Sequence, residues 1–169
     1  MNRPAVRYFL VISVSAFLQY TVLNQFRIAG VSADLLLVVA IAAGMNAGAE
    51  RGAVVGFVSG LCLDLMVVTP FGLGAIAGLV AGVVAGRLEA ATVHSARWLT
   101  MAIAFVSSGT GILAFVISGS LLGRSEMWSL RVLAVIAIVG ISSALLVFPM
   151  VRACRWADPD DVLLRTAVR

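Results

Sequence analysis

Residues 52–86 read GAVVGFVSGLCLDLMVVTPFGLGAIAGLVAGVVAG. Ahead of the turn at Thr69-Pro70-Phe71-Gly72, glycine recurs every four residues at Gly52, Gly56 and Gly60. After it, the same period returns at Gly74, Gly78, Gly82 and Gly86. A four-residue period lines small side chains along one helix face. Two backbones can then approach closely, which favours association where lipid rather than water surrounds the helices. The stretch therefore predicts an apolar hairpin packed through its glycines, with a partner's transmembrane helix as the alternative occupant of a stripe. Gly44 and Gly48, and Gly119 and Gly123, are weaker echoes. Thr69 can cap the second helix, and Pro70 suits a first helical position.

Composition extends this reading to the whole chain. Its 169 residues are 62% hydrophobic and 12% charged, with a mean hydropathy of +1.09. Soluble domains run nearer half apolar and a quarter charged. The expectation is an all-α, polytopic membrane bundle of about six transmembrane helices. Its single domain covers residues 1–151, with spans at about 8–24, 33–49, 52–68, 72–86, 98–122 and 132–151. Residues 152–169 form a short cytoplasmic tail. A crossing takes about 20 residues, so the fourth span reads as short: it sits where the protein thins the bilayer or extends through Leu88. No strand-like alternation points to a membrane barrel.

The arginines set the orientation. With the N-terminus in the cytoplasm, Arg3, Arg7, Arg51, Arg87, Arg97, Arg152, Arg155, Arg165 and Arg169 lie inside, and Arg27, Arg124 and Arg131 outside. This is a positive-inside bias with both termini cytoplasmic. Arg3 and Arg7 precede a long apolar stretch without a convincing cleavage site, so the first span is expected to be retained. Trp98, Trp128 and Trp156 fall near span ends, where amphipathic rings favour the interface. The net charge of +4 suits anionic lipid headgroups and is too dispersed for nucleic acid. Cys62 and Cys154 have no metal-site or disulfide spacing.

Asp64 is the least expected residue. An ionised aspartate at mid-membrane costs about 2.5–3.5 kcal/mol on insertion scales. Its closeness to Thr69 places it in the outer half, at a depth comparable to Gln19. The N-terminal amides of the fourth span lie nearby and carry partial positive charge. Two roles are open: locking helices together, in which case asparagine should be tolerated, or serving a partner or proton-coupled transport. Asp34 opens the second span, where a carboxylate caps well. Glu50-Arg51 reads as a solvated turn, and His94, Asp158, Asp160 and Asp161 as solvated loop or tail residues. Nothing assembles a nucleophile, base and oxyanion hole, and no cofactor or metal is expected.

The stretch Val31-Ser-Ala-Asp34-Leu-Leu-Leu, then Gly56-Phe57…Gly60…Asp64-Leu65, then Phe71-Gly72-Leu73-Gly74, resembles the MreD family of rod shape-determining membrane proteins. Phe148-Pro149-Met150-Val151-Arg152 is similar to that family's last span, in which a proline precedes basic residues. The likeness runs along essentially the whole chain, with its motifs in residues 32–86; Ala33 stands where the family often has proline. The resemblance implies a fold similar to the substrate-binding subunits of energy-coupling-factor transporters. It also implies a non-enzymatic role in cell-wall elongation at the bacterial plasma membrane, with an MreC-like protein, the MreB filament, RodA and a class B penicillin-binding protein as partners. A homodimer is left open. The alternative class is the substrate-binding subunit of a vitamin-type transporter. Residues assigned to helix packing or a partner interface are Asp34, Gly52, Gly56, Gly60, Asp64, Gly72, Gly74, Gly78, Gly82, Gly86 and Pro149.

Overall fold

The computed structural model describes residues 3–23, 34–67, 71–92, 97–122 and 130–158. It is all-α. Helix α1 (Arg3–Leu18) runs into a π-helical turn (Gln19–Leu23), followed by α2 (Leu35–Ala47), α3 (Ala49–Met66), α4 (Leu73–Ala91), α5 (Arg97–Leu121) and α6 (Leu130–Ala157). Among the described residues, three stretches are long and apolar enough to cross a membrane: α4, α5 and Val132–Ala157 of α6. The others fall short for different reasons: α1 and α2 have only 16 and 13 residues, and α3 carries Glu50, Arg51 and Asp64.

Helix α2 is apolar on every face except for Asn46, and every residue from Leu35 to Ala47 is buried. A helix without a polar side has no stable place at a water-facing surface. Here it forms the axis of the bundle and touches all five other helices. On one flank Leu36, Val39 and Ala43 pack with Tyr8, Ile12 and Cys154. On the other, Leu37, Val38 and Ile41 pack with Ala81, Ile103 and Val147.

The helices alternate in direction. Arg7 donates from Nη1 to the Trp156 carbonyl at 3.2 Å, and its guanidinium lies 5.3 Å from the centroid of the Trp156 ring. The start of α1 and the end of α6 therefore meet at one end of the bundle. Gly48, the single residue between α2 and α3, belongs to that same end. The opposite end gathers Gln19, Asp34, Asp64 and Gly72.

Many large apolar side chains face outward, among them Phe9 (70% exposed), Leu65 (75%) and Leu145 (65%), whereas Ser15, Asn46, Ser59, Ser107 and Ser143 are buried. Outward hydrocarbon on this scale is a liability in water and is at home in lipid.

Several sequence expectations need correction. Of the two alternatives for the fourth helix the structure takes the longer: the helix runs past Leu88 to Ala91 and has 19 residues. Its first helical residue is Leu73; the readings for Thr69 and Pro70 lie outside the described residues. Glu50 and Arg51 are not a turn, since they belong to the first turn of α3. The last helix continues to Ala157, so residues 152–157 are helix rather than tail. Asp158 is 3% exposed and ion-paired with Arg51, not solvated. In the fourth and last helices, charged residues ended the apolar run without ending the helix. The readings for His94, Asp160, Asp161, Trp128, Gly123 and Ala33 fall outside the described residues.

Candidate functional site

The site begins with the glycine hairpin. A methyl group added at Gly56 would come within 2.1 Å of the Gly78 carbonyl oxygen; at Gly60, within 2.1 Å of the Gly74 oxygen; at Gly52, within 2.5 Å of the Gly82 oxygen. Each step of four up α3 matches a step of four down α4, the register of antiparallel helices in backbone contact. Gly86 closes the series against Gly48 and Ala49, and Gly44 of α2 faces Gly82. Three helices therefore converge around Gly44, Gly52 and Gly82.

At the far end of this contact stands Asp64, buried at 6% exposure. Its Oδ2 accepts the backbone N–H of Gly72 at 2.8 Å and of Ala75 at 3.2 Å, and its Oδ1 accepts that of Gly74 at 2.9 Å. A helix start leaves its first N–H groups without intrahelical partners. Asp64 supplies them from the neighbouring helix and adds a negative charge at the positive end of the α4 dipole. Gly72 makes this approach possible by adopting φ +105°, a left-handed conformation strained for other residues. At Gly74 an added methyl would meet Asp64 Oδ1 at 2.6 Å.

A parallel construction starts α2. Asp34 caps it locally, its Oδ1 accepting the Leu37 N–H at 3.0 Å. Gln19, in the π-helical turn, accepts the Leu35 and Leu36 N–H groups on Oε1 at 2.8 and 3.1 Å. Its Nε2 also donates to Asp34 Oδ1 at 3.5 Å. The sequence puts Gln19 at the depth of Asp64 and carries no local signal of its capping role, because the N–H groups it satisfies lie 16 and 17 residues away. Gln19→Ala is expected to lower stability by about 1–2 kcal/mol by leaving these donors unpaired. A detergent melting curve indistinguishable from the parent's would refute that role.

Between the two capped helix starts lies a cavity of about 250 Å³ lined by Gln19, Asp34, Ser59, Asp64, Phe115 and Val139, among others. The oxygens of Asp64 and the capping oxygens of Asp34 and Gln19 are engaged with backbone donors. The Ser59 hydroxyl donates to the Gly56 carbonyl. These polar atoms serve the fold, and the rest of the cavity wall is largely apolar. Among the described residues no cluster of three or more His, Cys, Asp or Glu could hold a metal ion.

The other expected site residue, Pro149, is at the opposite end, exposed on α6. That end is tied by the Arg51–Asp158 ion pair and by Asn46, whose Nδ2 donates to the Ala42 and Val151 carbonyls. Neither connection has a signature in local sequence. The chain matches no model of a known protein family, no curated protein and no solved structure.

Proposed function

We propose that this chain is a multi-pass protein of the bacterial plasma membrane, crossing about six times with both ends cytoplasmic. In this reading it acts by binding, as an MreD-like, non-enzymatic subunit of the cell-wall elongation complex. One observation carries the proposal. The residues that bear the resemblance, Gly56, Gly60, Asp64, Gly72 and Gly74, occupy one continuous contact between α3 and α4. A motif spent on joining two helices suits a scaffold, because it leaves no polar group displayed for chemistry. The outward apolar faces and the long apolar helices support the membrane reading. The partners are an MreC-like protein foremost, with the MreB filament, RodA and a class B penicillin-binding protein in the same assembly. A fold like that of energy-coupling-factor substrate-binding subunits belongs to the same proposal.

The cavity near Gln19 and Asp64 favours the second reading, a vitamin-type transporter subunit. Its volume, about 250 Å³, lies just under the roughly 300–1,000 Å³ usual for ligand pockets, and the hydrogen-bonding groups noted above are already engaged. Binding to a protein partner is the better reading.

The test combines topology with partnership. Reporter fusions after Arg97 and Arg169 should behave as cytoplasmic, and one after Arg124 as external. Affinity purification from native membranes should recover an MreC-like protein, and deletion should round or widen the cells, or weaken polar growth in a tip-growing organism. An external C-terminus would sink the six-crossing topology. The adaptor role fails if a vitamin-sized solute binds tightly while deletion leaves shape and wall synthesis untouched.

A further inference from the structure

At the end of the bundle opposite Asp64, α4, α5 and α6 enclose a cleft of about 730 Å³. Arg97 reaches it from the first turn of α5, and Arg152 and Arg155 from the last turns of α6; all three are exposed. Glu89 is the acidic residue on its wall, so the formal charge of the lining is +2, three arginines against one glutamate. Leu99, Met101, Phe148 and Pro149 supply an adjoining apolar surface. Arg155 is anchored from behind: its Nε donates to Asn46 Oδ1 at 3.4 Å, and buried Asn46 is itself held by two backbone carbonyls. Among the described residues, one of the five guanidinium N–H donors of Arg155 is thus engaged. Among the described residues no ion pair joins Arg97, Arg152 or Arg155 to a carboxylate; the pair at this end is Arg51–Asp158.

Three arginines against one carboxylate leave the cleft with an excess of positive charge, and an anion between the guanidinium groups would offset their mutual repulsion. Arginine forks match phosphate oxygens two at a time. The apolar half of the cleft narrows the choice of anion. A soluble phosphate or an acidic peptide would answer the charge but leave Leu99, Phe148 and Pro149 without hydrocarbon. We infer that this cleft binds an anionic phospholipid, its phosphate held by Arg97, Arg152 and Arg155 and the upper part of its acyl chains lying on Leu99, Met101, Phe148 and Pro149. The two phosphates of cardiolipin match the +2 lining. Basic pockets between transmembrane helices on the cytoplasmic side are suited to such headgroups. This inference rests on the membrane reading and is independent of the adaptor role.

The test uses the full chain purified in a mild non-ionic detergent. Recovery in the membrane fraction checks the membrane reading separately, before any lipid is added. Cardiolipin should then raise the melting temperature well above the effect of equimolar phosphatidylcholine, and native mass spectrometry of the parent should retain cardiolipin preferentially. Arg97→Gln and Arg152→Gln should each weaken apparent affinity about fivefold, and the double variant about 25-fold, for roughly 1 kcal/mol per arginine. Arg87→Gln, an exposed change on α4 outside the cleft, should leave the affinity unchanged. The inference is overturned if cardiolipin and phosphatidylcholine act alike on the parent. It is equally overturned if inorganic phosphate reproduces the shift, or if Arg87→Gln weakens binding as much as the cleft variants. Should a glutamine variant fail to accumulate, the preference of the parent in the mass spectrum decides the matter.

Discussion

Gly78→Leu is expected to remove the folded protein, and even Gly78→Ala to destabilise it measurably. An added methyl at Gly78 would stand 2.2 Å from the Gly56 carbonyl oxygen, and one at Gly56 would stand 2.1 Å from the Gly78 oxygen. The obstacle is backbone, so no side-chain rotation relieves it; the helices must move apart by roughly 1 Å to restore ordinary contact. Alanine is the better helix former by about 1 kcal/mol, an opposing gain. Forced separation of a packed interface costs about 1–3 kcal/mol for a methyl group and more for leucine, so packing wins. Gly109→Ala is the matched control. Its added methyl meets only the Ile136 Cγ2 at 3.5 Å, so it should be neutral or gain up to about 1 kcal/mol from propensity. Folded yield and melting in detergent read the difference. Equal melting of Gly78→Ala and Gly109→Ala would show that α3 and α4 are not in backbone contact.

Asp64→Leu is expected to cost about 3–5 kcal/mol, because it strips the carboxylate from the N–H groups of Gly72, Gly74 and Ala75 at about 1–3 kcal/mol for each buried donor left unpaired. The geometry also revises what asparagine should do. A helix lock was expected to tolerate it, but both Asp64 oxygens accept from backbone donors. An asparagine amide offers one acceptor oxygen and must turn its NH₂ toward the remaining donor. Asp64→Asn should therefore lose about 1–2 kcal/mol while still accumulating, and its recovery with an MreC-like partner should fall only as far as its folded yield does. Melting in detergent, alongside copurification, separates the outcomes. If Asp64→Asn melts like the parent yet loses its partner, the carboxylate serves recognition and not the α4 cap.

The sequence by itself determined what helix geometry makes local. The four-residue glycine period became a face because 3.6 residues make a turn. A run such as Leu35–Ala47 reads as a membrane span because it is apolar all round, whereas its burial at the centre of the bundle was decided by the tertiary structure. Asp34 could be read as a cap because the N–H it receives, that of Leu37, is three residues on. Helix ends were less legible. Hydropathy measures how long a segment prefers lipid, whereas a helix needs only backbone hydrogen bonds and can carry charge past the apolar zone. That is why α4 continues through Arg87 and Glu89, and α6 through Arg152 and Arg155. Tertiary structure alone decided the pairings between distant residues: Gln19 with the start of α2, Arg7 with Trp156 across 149 positions, and Arg51 with Asp158. Such contacts carry no periodic signal, because they depend on how whole helices align. The same alignment brings Arg97 beside Arg152 and Arg155 around one cleft, although in sequence they are only two sets of basic residues near span ends.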